Sequence, residues 1–148
     1  MTDTVEILLV EDNPSDIKLA MHAFRKNNIA NQVVVLRDGA EALEYLFCTD
    51  RYADRRGQHQ PKVVLLDLKL PLIDGIEVLR RLKSDSETKS IPVVVMTSSS
   101  EERDMVESYK LGVNGYVQKP VDFEQFTNVV RQLGMFWLLV NRVPDRTE

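Results

Sequence analysis

The 148-residue chain is poor in several residue types, and each shortage excludes something. A single cysteine, Cys48, rules out an internal disulfide and a thiolate zinc cluster. No apolar run approaches the roughly 20 residues needed to span a bilayer. The opening Met1–Glu6 has neither a basic n-region nor a signal-like apolar core. Basic residues are not in excess: 19 Lys and Arg stand against 23 Asp and Glu, a net charge of −4. That balance argues against a surface that grips nucleic acid directly. Proline and glycine are sparse at six each, and no low-complexity segment or internal repeat is visible. Hydrophobic and charged contents of 43% and 28% are those of a globular chain. The expectation is one domain in a reducing cytoplasm, with no membrane span.

Four apolar runs stand out: Ile7–Val10, Val33–Leu36, Val63–Leu66 and Val93–Met96. They are rich in β-branched residues and do not alternate with polar ones, which suits strands buried on both faces of a parallel sheet. Gly115–Gln118 is a weaker fifth. Helical patterns separate them. Ile17, Ala20, Met21 and Phe24 share a face, with Asn13 as cap and Pro14 in the first turn. Ala40, Leu43 and Leu46 mark a second helix. Ile76, Leu79 and Leu82 mark a third, capped by Asp74. Capping-box patterns open a fourth at Ser99, with Met105, Val106 and Tyr109 inward, and a fifth at Asp122. This alternation predicts an α/β fold with right-handed crossovers and helices on both faces of the sheet.

In such a sheet the ligand site lies beyond the carboxyl ends of the strands. Those ends carry Glu11-Asp12, Asp67, Thr97-Ser98 and Lys119-Pro120. Three converging carboxylates need a cation, and hard oxygen ligands suit Mg²⁺. An acidic nucleophile, a metal, a lysine and a hydroxyl can together manage a transferring phosphoryl group. Singly, each residue has a plainer reading. Asp12 can help cap a helix, Asp67 can be a turn residue, threonines often end strands, and most lysines are solvated. The conjunction carries the argument.

At this point the sequence resembles the receiver domains of the response regulators of two-component signalling. The matching segments are Leu9–Asp12, Leu65–Pro71 with Asp74-Gly75, Val95–Ser98 and Gly115–Pro120, in family order. The spacings also fit, with 19 positions from Thr97 to Tyr116 and 52 from Asp67 to Lys119. The resemblance covers about residues 5–133 and implies a five-stranded parallel sheet of order 2-1-3-4-5. It implies that Asp67 accepts a phosphoryl group from a sensor histidine kinase. Asp12, Asp67 and the Lys69 backbone carbonyl would bind Mg²⁺ directly, and Glu11 through water. Lys119 would contact the phosphate, with a cis peptide before Pro120. Thr97 and Tyr116 would form the switch pair. Such a protein is not an enzyme in the usual sense, but it assists its own phosphorylation and dephosphorylation.

Three departures stand out. Lys69 lies two positions after Asp67 and Ser99 two after Thr97, a pairing that predicts poor handling of hydrolytic water. Thr49–Pro61 is a polar stretch about ten residues longer than in compact receivers, read as irregular. Arg51, Arg55, Arg56 and Lys62 there outnumber Asp50 and Asp54, and a solvated loop and a partner-binding loop are equally supported. The tail Met135–Val140 is continuously apolar. Phe126, Val130, Leu133 and Trp137 share a stripe, leaving Met135, Phe136 and Leu139 outside it. A homodimer is expected through this helix, the fourth helix and the fifth strand, with Tyr116, Phe136, Trp137 and Leu139 in contact. The tail and loop also look like those of cyanobacterial phytochrome response regulators, which suggests a phytochrome as kinase. About fifteen residues follow the core, so no effector domain is expected.

Two other classes compete. An aspartyl-nucleophile hydrolase would share the strand-end Asp, Mg²⁺ and lysine, but it typically carries an acid where Lys69 stands. A non-phosphorylated interaction module would be expected to have lost Asp67, Lys119 or an acid of the pair. A flavin site lacks a phosphate-binding loop after the first strand. His22 and His59 fall in the first helix and the long loop, away from the crevice.

Overall fold

A computed structural model describes residues 5–26, 32–98, 112–119 and 123–132. Five strands form one parallel sheet: β1 (Val5–Val10), β2 (Gln32–Leu36), β3 (Val63–Asp67), β4 (Val93–Thr97) and β5 (Gly115–Gln118). Their order is β2-β1-β3-β4-β5, as the resemblance implied. The described α-helices are α1 (Pro14–Lys26), α2 (Gly39–Phe47), α3 (Gly75–Ser84) and α4 (Phe123–Gln132). The helix expected from Ser99, the peptide before Pro120 and the tail with Phe136, Trp137 and Leu139 lie outside the described residues.

The unbroken apolar runs divide their side chains between two cores. Leu8, Val10, Val64, Leu66, Val93 and Val95 pack with α2 and α3. Their neighbours Ile7, Leu9, Val63, Leu65, Val94 and Met96 pack with α1 and α4. Because strand side chains alternate, such a run can stay apolar throughout only if helices cover both faces. Within these cores Phe24 of α1 meets Phe126 of α4 with ring centroids 5.1 Å apart.

Helix starts follow the expected chemistry. Asn13 Oδ1 accepts from the Asp16 N–H at 3.0 Å, and Asp74 Oδ1 accepts from the Glu77 N–H at 2.9 Å. Asp38 caps α2 in the same way, an unanticipated cap. Leu43, Leu46, Leu79 and Leu82 are buried as expected, but the first residue of each stripe is not the deepest. Ala42 and Val78 are fully buried while Ala40 and Ile76 are half-buried, and Val129 is buried next to Phe126 in α4.

The Thr49–Pro61 stretch is not irregular. It contains a 3₁₀ helix, Asp50–Arg55, folded back on α2. Arg55 donates to the Tyr45 carbonyl and lies 3.7 Å over the Tyr45 ring. Gln60 donates to the Leu46 carbonyl at 2.7 Å, and Arg56 to the Cys48 carbonyl at 3.4 Å. The last carbonyls of a helix have no partner within it, so this segment supplies side-chain donors for α2. Tyr52 packs edge-on against Tyr45 and bonds Glu41, and Arg51 pairs with Glu44 at 2.7 Å. Cys48 is the half-buried C-cap of α2, in left-handed conformation with φ 57°. No helix among the described residues is long and apolar enough to cross a membrane.

Candidate functional site

Strand register gathers the acids. Val10 pairs with Leu66 across β1 and β3, so the next residues, Glu11 and Asp67, leave the sheet side by side. On the other flank Asp67 pairs with Met96, and Thr97 pairs with Gln118, which puts Lys119 one step beyond the end of β5. One carboxylate oxygen each from Glu11, Asp12 and Asp67 lie within 4.8 Å of one another. Glu11 and Asp67 are buried, whereas Asp12 is exposed.

Lys119 closes the cluster. Its Nζ lies 3.0 Å from Glu11 Oε1, 3.1 Å from Asp67 Oδ2 and 3.2 Å from Asp16 Oδ2. Asp16 was missed from sequence. The available signal was its position in the first turn of α1, four residues after Asp12. Glu11 Oε2 accepts from the Asn13 N–H at 3.0 Å, and Asp67 Oδ1 from the Lys69 N–H at 3.2 Å. Burial, with the charge of Asp67 adding to it, pushes Glu11 up to about 7, although the Asn13 N–H and Lys119 pull the other way. Burial also opposes the charge on Lys119. The hydrogen bonds and negative charges of Glu11 and Asp67 outweigh it and hold the ammonium above its usual range.

The loop after β3 is shaped by close approach. A Cβ on Gly75 would lie 2.2 Å from the Asp67 carbonyl oxygen, so only glycine lets α3 begin against the end of β3. The Gly75 N–H donates to the Leu68 carbonyl at 2.8 Å. A Cβ on Gly39 would lie 1.7 Å from the Ile73 carbonyl oxygen, which brings the start of α2 against the same loop.

Expected site residues therefore sit as follows. Glu11, Asp12, Asp67 and Lys119 are brought together, and the Lys69 backbone adjoins Asp67. Thr97 ends β4, while Tyr116 on β5 is half-buried against the α2–α3 core. The donor set fits a hard divalent cation: three carboxylates crowd together, and a single lysine among the described residues balances them.

The receiver architecture is matched by comparison with known proteins. The family model for the response regulator receiver domain matches residues 7–131. The probable methanogenesis regulatory protein FilR2 of Methanothrix harundinacea is 41% identical over 96% of this chain and 89% of its own. The bacteriophytochrome response regulator AtBRR superposes with a TM-score of 0.86 at 53% identity, covering 95% of this chain and 100% of that one. The phosphorylated cyanobacterial phytochrome response regulator RcpA gives a TM-score of 0.72 at 41% identity, over 95% and 98%. With the fold, the strand-end acids and the lysine in agreement, the chain belongs to the response regulator receiver domain family and is related to the phytochrome response regulators.

Proposed function

We propose that this chain is a phosphoacceptor that takes a phosphoryl group from a sensor histidine kinase onto Asp67 and signals through a conformational switch and protein contacts. One observation carries the reading: buried Asp67 has Lys119 Nζ at 3.1 Å and oxygens of Glu11 and Asp12 within 4.8 Å. In the transfer, an Asp67 carboxylate oxygen forms a bond to phosphorus as the P–N bond of phosphohistidine breaks. The electron pair of that bond stays on the imidazole nitrogen. The Lys69 N–H bond to Oδ1 fixes the carboxylate plane, and Lys119 supplies a fixed positive charge for the phosphoryl oxygens. Asp12, Asp67 and the Lys69 carbonyl would hold Mg²⁺ directly, and Glu11 through water. When bound, Mg²⁺ supplies further positive charge to the transferring group. Thr97, at the end of β4, is the hydroxyl that meets the phosphoryl group, and Tyr116 is its partner in the switch.

The finer reading has three parts. The kinase is a phytochrome, which the kinship with AtBRR and RcpA supports. The 148 residues form a single receiver domain with an extended tail. Two copies associate through Tyr116, Phe136, Trp137 and Leu139, supported by the continuous apolar run Met135–Val140.

Intact mass after incubation with Mg²⁺ and acetyl phosphate tests the central step. One added phosphoryl group in the parent and none in Asp67→Asn is the expected result. Free phosphate released at high turnover would indicate a hydrolase, and no change at all an inert module. Transfer from a panel of purified kinases should be fastest from a phytochrome; preference for another sensor class removes that partner.

A further inference from the structure

The Lys119 ammonium lies within ion-pair distance of three carboxylates. Glu11 and Asp67 already belong to the proposed transfer. Asp16 does not: it comes from α1, outside the three acids that crowd together. It is also the most open of the three, with its side chain 27% exposed against 1% for Glu11 and 4% for Asp67. An acid in the first turn of a helix is favoured by the helix dipole alone. That preference does not require its oxygen to lie 3.2 Å from a lysine that follows the edge strand β5.

We propose that Asp16 is a positioning residue that competes with the phosphoryl group for Lys119. It draws the ammonium toward the solvent side and sets a negative charge beside the approach of an anionic donor. Asp16 thereby restrains how fast Asp67 is phosphorylated. This role rests on the reading of Asp67 as acceptor. With acetyl phosphate as donor, the Asp67 oxygen forms the O–P bond, the P–O bond to acetate breaks, and acetate leaves with the electron pair.

The test compares the full chain with Asp16→Asn and Asp16→Glu at saturating Mg²⁺. Two donors are used: acetyl phosphate, a dianion, and phosphoramidate, with one net negative charge at neutral pH. Removing one carboxylate charge near the approaching donor should raise the acetyl phosphate rate about three- to tenfold. The gain with phosphoramidate should be smaller, because the effect scales with donor charge. Asp16→Glu should return toward the parent rate. Mg²⁺ is kept saturating for each variant by its own calorimetric affinity, because loss of a carboxylate also weakens the attraction for a dication. No gain, or equal gains with both donors, at saturating Mg²⁺ would overturn the role of Asp16 alone. A parent that accepts phosphate from neither donor overturns the acceptor reading, and this role with it.

Discussion

At the residue scale, the site depends on small groups as much as on charged ones. Replacing Gly75 by Ala would drive a Cβ into the Asp67 carbonyl at 2.2 Å. Backbone cannot move aside as a flexible side chain can, so Gly75→Ala should cost about 1–3 kcal/mol in urea unfolding. Phosphorylation of the folded fraction should also slow. Lys69, two residues beyond Asp67, has an exposed side chain that can fold over a phosphoryl group. Lys69→Asn should therefore shorten the phosphoprotein lifetime severalfold, as read by intact mass over time; an unchanged decay counts against shielding. The acids and Lys119 were legible in sequence because strand ends in a parallel sheet converge, which turns linear positions into neighbours. Asp16 was not, because its ordinary role in a helix first turn hides the lysine beside it. Nor does sequence mark Leu72, which holds φ 70° in the loop after β3.

The elements were more legible than the connections between them. Continuous β-branched runs located the described strands, and capping residues the starts of α1 and α3, since both are local signals. The Asp50–Arg55 helix escaped because its donors serve carbonyls on a different element, a relation no local pattern carries. Its contribution to stability is unequal along its length. Arg55→Ala leaves the Tyr45 carbonyl with only the weak Cys48 thiol donor and removes the ring contact, which should cost about 1–3 kcal/mol. Arg51→Ala breaks only exposed ion pairs and should cost well under about 1 kcal/mol. Thermal melts of the two variants compare them directly. Tyr52 adds a pH signature. Burial and then its hydrogen bond to Glu41 push its hydroxyl up from 10.0 to about 12. Between those values the folded protein binds more protons than the unfolded chain, so its stability should fall as pH rises through that window. Tyr52→Phe should flatten that part of the stability curve.

For the whole molecule, the two-core division sets what each face can offer. The α2–α3 core receives Tyr116, so the residue proposed as half of the switch touches the side of the sheet opposite α1 and α4. Association is the proposed output. Sedimentation at tens of micromolar should show a dimer in the parent and a weaker one in Phe136→Ala and Trp137→Ala. A monomeric parent, phosphorylated or not, removes the dimer. The architecture was readable from the alternation of elements, whereas association depends on surfaces that one sequence leaves open.

The three ion pairs of Lys119 also bear on how the molecule is made. Its partners Glu11 and Asp16 lie more than a hundred positions earlier in the chain. Contacts that distant close late in folding, because the intervening chain must be ordered first. During synthesis the acids emerge from the ribosome well before their cation. A half-made chain thus carries a cluster of mutually repelling acids without Lys119 to balance them. On the proposed function, competence to be phosphorylated arrives only when β5 docks, and the modification would report that the entire sheet has been completed.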